Sequence, residues 1–172
     1  MGIDTTGRLW EMNHGILHTP RFTGHIWFVD GAVAASGDGT TPHQAIKTIA
    51  EAVVAASAGD AITVKAGTYT EEGLDMNLNS LELWPEIGVI LDPANGTALT
   101  ISGNFCKVWC PGGSMFITPG ANDTGVQITG QSCYVSDVRV KCASVADIGF
   151  HVGSAADNTD GDGSVLTNCR SS

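Results

Sequence analysis

The sequence has little charge and few aromatic rings: charged residues fill 15% of its 172 positions and aromatics 6%. Positive charge is scarcest, with 8 lysines and arginines against 18 acidic side chains and a formal net charge of −10. A field of that sign repels phosphate backbones and anionic lipid, so neither nucleic acid nor a membrane is an expected partner. No apolar run approaches the roughly 20 residues that span a bilayer. Met1-Gly2-Ile3-Asp4 does not open a basic-then-apolar leader, so no signal peptide is expected and the chain is read as made in a cytoplasm. The five cysteines, Cys106, Cys110, Cys133, Cys142 and Cys169, are an odd count without a secretion signal, which argues against a disulfide framework. Cys106 and Cys110 lack the second close pair or nearby histidine that would finish a zinc site. These thiols are therefore expected to pack as small apolar groups, and no metal or cofactor is expected.

What is abundant is glycine, at 22, beside an apolar share of 42%, a balance suited to a turn-rich, ordered β protein. Leu74, Ile101 and Ile128 recur at equal steps, and Leu81, Val108 and Val135 recur at the same ones. Ile90 and Ile117, Cys106 and Cys133, and Gly103 and Gly130 keep that step too. Around these positions apolar and polar residues alternate, as in Leu99-Thr100-Ile101 and Val138-Arg139-Val140, which is strand periodicity. Clusters such as Pro93-Ala94-Asn95-Gly96 and Gly120-Ala121-Asn122-Asp123 fall between them as corners. Short strands within a fixed period predict an all-β fold, a right-handed parallel β-helix of period about 27, with residues one coil apart stacked at roughly 4.8 Å. Gly149-Phe150-His151-Val152 repeats Gly125-Val126-Gln127-Ile128 after a slightly shorter step, and a polar insertion over 154–163 follows.

Ahead of the coils, Thr41, Pro42 and Gln44 read as N-cap, first helical position and capping-box partner. Ile46, Ile49, Ala50, Val53 and Val54 form one apolar stripe and Gly59 a stop, predicting a capping helix over 42–58. Ser36-Gly37-Asp38-Gly39-Thr40, this helix, Gly59-Asp60-Ala61-Ile62-Thr63-Val64 and Lys65-Ala66-Gly67-Thr68-Tyr69 together resemble the opening of pectin-lyase-like β-helix proteins. The resemblance implies a β-helix over 27–172 whose first coil the helix plugs. It specifies architecture rather than activity, because that fold hosts lyases, hydrolases and adhesins. The last coil reaches Ser172 without a capping element, so the β-helix is read as incomplete at that end.

Residues 1–26 follow neither period and mix aromatics with glycine and proline, as an attachment arm would; a disordered leader is the alternative, against which Trp10, Phe22, Trp27 and Phe28 argue. A short arm ahead of a β-helix looks like bacteriophage tailspikes, tail fibres and head fibres. That resemblance implies a structural, trimeric virion protein whose arm binds other virion proteins and whose coil meets a host-surface polysaccharide. Leu9, Trp10, Phe22 and Trp27 are the attachment candidates, and Trp109 and Tyr134, with Trp84, the glycan-stacking ones. The alternative is a polysaccharide-degrading lyase or hydrolase of the same fold.

Chemistry is otherwise thinly signalled, and no residue is assigned a catalytic role. Asp137, Arg139 and Lys141 are expected to project outward on one strand; the lyase arrangement of acid and base is one reading, an ordinary solvated strand the other. Asp157, Asp160 and Asp162 crowd oxygens into a glycine-bearing loop without EF-hand spacing, so a solvated insertion competes with a calcium loop. Glu71 with Glu72, or Glu82 with Glu86, are the carboxylate pairs available to glycoside hydrolysis, and nothing in their surroundings singles one out.

Overall fold

The computed structural model describes the backbone of residues 2–3, 9–13 and 16–18, and residues 24–172 apart from 111 and 154–160. Near the N-terminus, β1 (Gly2–Ile3), β2 (Leu9–Asn13) and β3 (Ile16–His18) pair antiparallel in a small sheet. From Ile26 onward every pairing is parallel, and the chain winds into a β-helix with three faces. Face A stacks β4 (Ile26–Val29), β5 (Ala61–Val64), β8 (Glu82–Pro85), β11 (Lys107–Trp109), β14 (Tyr134–Ser136) and β17 (Val165–Thr167). Face B stacks β6 (Gly67–Tyr69), β9 (Val89–Leu91), β12 (Met115–Ile117), β15 (Val138–Val140) and β18 (Arg170–Ser171). Face C stacks β7 (Leu74–Asp75), β10 (Leu99–Ile101), β13 (Thr124–Ile128) and β16 (Ile148–Val152).

Strand alternation turns one set of side chains into the tube, where they form columns. Ile62, Leu83, Val108 and Val135 stack on face A, Leu91, Ile117 and Val140 on face B, and Leu74, Leu99 and Val126 on face C, all buried. Each such aliphatic contributes roughly 1.5–3 kcal/mol when fully buried, so the columns carry the fold.

The expected spacing holds in the middle of the solenoid on faces A and C only; on face B the same coils are closer along the chain, with Phe116 paired to Arg139. From Glu82 to its ladder partner Lys107 the step along the chain is 25. The next, from Lys107 to Tyr134, is 27, the same separation that the Asn104 side chain bridges to the Gln131 N–H. From Tyr134 to Val165 it is 31, as it is for the bonded pair Asp137 and Asn168. Ile101 therefore stacks on Ile128 as expected, whereas Leu74 lies under Leu99, not in that column. Leu83 rather than Leu81 lies under Val108, and Leu91 rather than Ile90 under Ile117. The shorter step from Val126 to Phe150 is the one the sequence predicts.

The expected helix over 42–58 is shorter and split. Pro42–Gln44 makes a single 3-10 turn, and Thr41 makes no side-chain cap bond. Ala45 and Ile46 then leave helical conformation because the Ile46 N–H donates to the Phe28 carbonyl and its own carbonyl accepts from Asp30, bridging the chain to β4. The helix proper, α1 (Ile49–Ala55), starts after Thr48, whose hydroxyl accepts from the Glu51 N–H. Ile49, Ala52 and Val53 face the core, and the stripe residue Val54 points to solvent.

Two corner positions explain the tight turn from face C to face A. A Cβ added to Gly130 would run into the Gly103 carbonyl, and one on Gly103 into the Leu78 carbonyl, so these stacked glycines let successive coils approach. Further along each corner, Ser80, Phe105, Ser132 and Gly163 all have positive φ, between 54° and 70°. The left-handed bend is thus a repeated element, filled by glycine once and by L side chains three times.

Candidate functional site

The outward columns of face A hold most of the structured aromatic surface. Phe28 pairs with Thr63, Thr63 with Trp84, and Trp109 with Ser136; continuing the Leu83 to Val108 register puts Trp84 beneath Trp109. The parallel column on the other side of the inward Val108 runs Ala61, Glu82, Lys107, Tyr134 and Val165. Trp84, Trp109, Tyr134 and Phe28 are half-buried, so each presents part of a ring while its remainder is packed. Trp109 turns outward as predicted, because Val108 and Cys110 on either side are buried.

Glu82 organises the centre of this face. Its carboxylate is almost wholly buried, yet accepts from the Trp84 indole at 3.0 Å and pairs with the Lys107 ammonium at 2.7 Å. A buried carboxylate is tolerated only when so compensated, and the pair fixes Trp84 and Lys107 in place.

The site has an aromatic that the sequence pattern did not reveal. Phe105 sits in the left-handed corner just before β11, with φ of 60° and 58% of its surface exposed. A bulky side chain there costs backbone energy and recovers little by burial, and it stands two residues from Lys107 at the edge of face A. Its alignment with Ser132 follows the expected step, while that with Ser80 is readable only once the shorter first step is known.

Other predicted residues separate. Leu9 and Trp10 lie on β2, and Phe22 lies outside the described residues. Trp27 belongs to the first coil: it packs against the core, and its indole N–H donates to Asp60 at 2.9 Å. Asp60 also accepts from the backbone N–H groups of His25 and Ser57. Burial pushes its carboxyl up, but these three donors outweigh it and hold the group below the usual aspartate range. An open hollow of about 480 Å³ lies beside this knot, lined by Gly24, His25, Trp27, Ser57 and Asp60.

Asp137 does not share a strand with Arg139 and Lys141. It occupies the corner between β14 and β15 with φ of 61°, bonded to Ser136 and Asn168, while Arg139 and Lys141 project outward as expected. Asp157 and Asp160 lie outside the described residues. Glu71 caps α1 by accepting from the Ile49 and Ala50 N–H groups, Glu72 accepts from Asn95, and Glu86 accepts from the Ala66 N–H. Cys106, Cys110 and Cys133 are buried free thiols; Cys142 and Cys169 are free and half-buried. Among the described residues no three His, Cys, Asp or Glu side chains converge as a metal-holding group, and no helix is long and apolar enough to cross a membrane.

No family model matches the sequence, and no curated protein matches it. Among solved structures, a rhamnogalacturonan lyase is similar, with a TM-score of 0.50 and 13% identity over 86% of this chain and 51% of that one. The chain thus spans about half the length of the structure it matches, and at this identity the likeness concerns fold alone. The stacked parallel registers make this chain a parallel β-solenoid, and that likeness extends to the fold of the rhamnogalacturonan lyase.

Proposed function

We propose that this chain is a carbohydrate-binding β-helix carried on a bacteriophage particle, as part of a tailspike, tail fibre or head fibre. Residues 1–26 fasten it to other virion proteins, three copies associate, and face A meets a host-surface polysaccharide. The observation that carries the binding role is the outward Trp84 and Trp109 column flanked by Lys107 and Tyr134. Sugar rings stack on such flat, amphipathic side chains, while hydroxyl and ammonium groups at their margins take the sugar hydroxyls. Because the rings stand on packed strands and Trp84 is tied to Glu82, little ordering is left to the moment of binding. The small antiparallel sheet near the N-terminus supports the attachment role, since among the described residues its strands pair with each other and not with the coil strands.

A glycan array probed with the whole chain tests the binding role: the native protein should retain host-type polysaccharides and Trp109→Ala should lose them. Retention unchanged by Trp109→Ala, with the fold intact, would remove face A as the site. Peptides of the chain in purified particles test the virion role, and their absence would end it.

One observation favours a second, enzymatic reading. Glu82, Lys107 and Tyr134 place a carboxylate, an amine and a phenol in successive coils of one column, groups able to move protons. Incubation with uronate-containing polymers, followed by absorbance of unsaturated products and by reducing ends, decides it; no product excludes lyase and hydrolase action on those polymers.

A further inference from the structure

The outward column of face B runs Thr68, Ile90, Phe116, Arg139 and Arg170. Lys141 projects one outward position beyond Arg139 on the same side of the sheet, and all three cations are exposed. Three of the chain's 8 basic residues therefore collect on one face of a protein with net charge −10. Arg139 and Arg170 are direct register partners on adjacent parallel strands, where like charges about 4.8 Å apart in backbone spacing repel.

The other described cations are answered by acids. Lys65 pairs with Asp30 and Lys107 with Glu82, both at 2.7 Å, and Lys47 lies in the field of Glu51. Among the described residues, none of Arg139, Lys141 and Arg170 has a carboxylate at ion-pair distance. Asp137, the nearest acid in sequence, is taken by Ser136 and Asn168, and Asp92 lies two coils below Lys141. The contact that Arg139 does make is with the Phe116 ring, whose centroid is 5.9 Å from its guanidinium carbon. A guanidinium held over a ring keeps its N–H edges free.

We propose that this surface is a binding site for a tetrahedral oxyanion, the phosphate or sulfate ester group of an extended ligand. Two planar guanidinium forks and an ammonium offer more donors than the two oxygens of a carboxylate can accept, whereas a tetrahedral ester presents oxygens in several directions. Phe116 and Ile90 supply an apolar floor for the part of the ligand that carries the ester. The site lies on a different face from the aromatic columns and does not depend on their role.

The test titrates the whole chain with inorganic phosphate, sulfate and acetate at constant ionic strength, balanced with chloride. Arginine side-chain NMR resonances report occupancy. Saturable shifts of the Arg139 and Arg170 signals with phosphate or sulfate, at least about tenfold weaker with acetate, are expected. Arg139→Gln and Arg170→Gln should each weaken binding on the order of tenfold, with Lys47→Gln as an exposed control that leaves it unchanged. Preference for phosphate over sulfate assigns a phosphoester, and the reverse a sulfate ester. Non-saturable shifts, acetate binding as tight as phosphate, or equal loss in the Lys47 control would each overturn the site.

Discussion

Phe105 offers a direct test of the left-handed corner. Its φ of 60° places the Cβ against the following carbonyl, a cost of about 1–2 kcal/mol that alanine keeps and glycine removes. Glycine gives back roughly 0.5–1 kcal/mol through the greater freedom of its unfolded chain. Phe105→Ala and Phe105→Gly lose the same ring contacts, so their difference isolates the backbone: the glycine variant should be more stable by about 0.5–1 kcal/mol. With a urea slope of about 2 kcal/mol per molar, that is a midpoint roughly 0.3–0.5 M higher. Phe116, an exposed aromatic in the middle of β12, supplies the reversed control. There Phe116→Gly should be less stable than Phe116→Ala by a similar amount. The same order of stabilities at both positions would refute the reading of the corner. If face A binds glycan, both Phe105 variants should also weaken retention on the array, including the more stable one.

Gly130→Ala should cost about 3 kcal/mol or more, because the new methyl meets the rigid Gly103 carbonyl of the coil below; urea unfolding or loss of soluble protein would register it. Asp60 should shape the acid limb of stability: with its folded carboxyl held low, its contribution is complete above an unfolded value near ~3.9 and is lost as pH falls through the folded one. Asp60→Asn should flatten that limb and cost about 2–3 kcal/mol at neutral pH, measured by denaturation from acid to neutral conditions. Lys107→Met should destabilise by roughly 2–4 kcal/mol by stranding the buried Glu82, and Glu82→Gln in the same background should restore part of it; no recovery in that pair would count against the coupling.

The architecture was legible in the sequence because burial inside a tube forces alternation, and Ile101 over Ile128 or Cys106 near Cys133 repeat it openly. The early registers were not. Leu74 fits the constant step to Ile101 numerically, yet pairs with Leu99, since apolar residues two apart on one strand are interchangeable to the pattern and it does not choose between them. The helix start misled for a related reason: Thr41 and Pro42 carry capping chemistry, but Ile46 gains more by bridging to β4 than by extending one turn. Trp109 was readable from its buried neighbours, while Glu82 was not, because its role depends on Trp84 within its strand and Lys107 on the coil above.

The steps between coils along face A lengthen from Glu82 to Lys107 to Tyr134 to Val165, yet every strand stays in register with the one before. Length is absorbed wholly outside the ladders. A segment exchanged in the connection from Val152 to Val165, between β16 and β17, therefore meets a scaffold already indifferent to its size, and new recognition surfaces can be acquired there without the interior being redesigned.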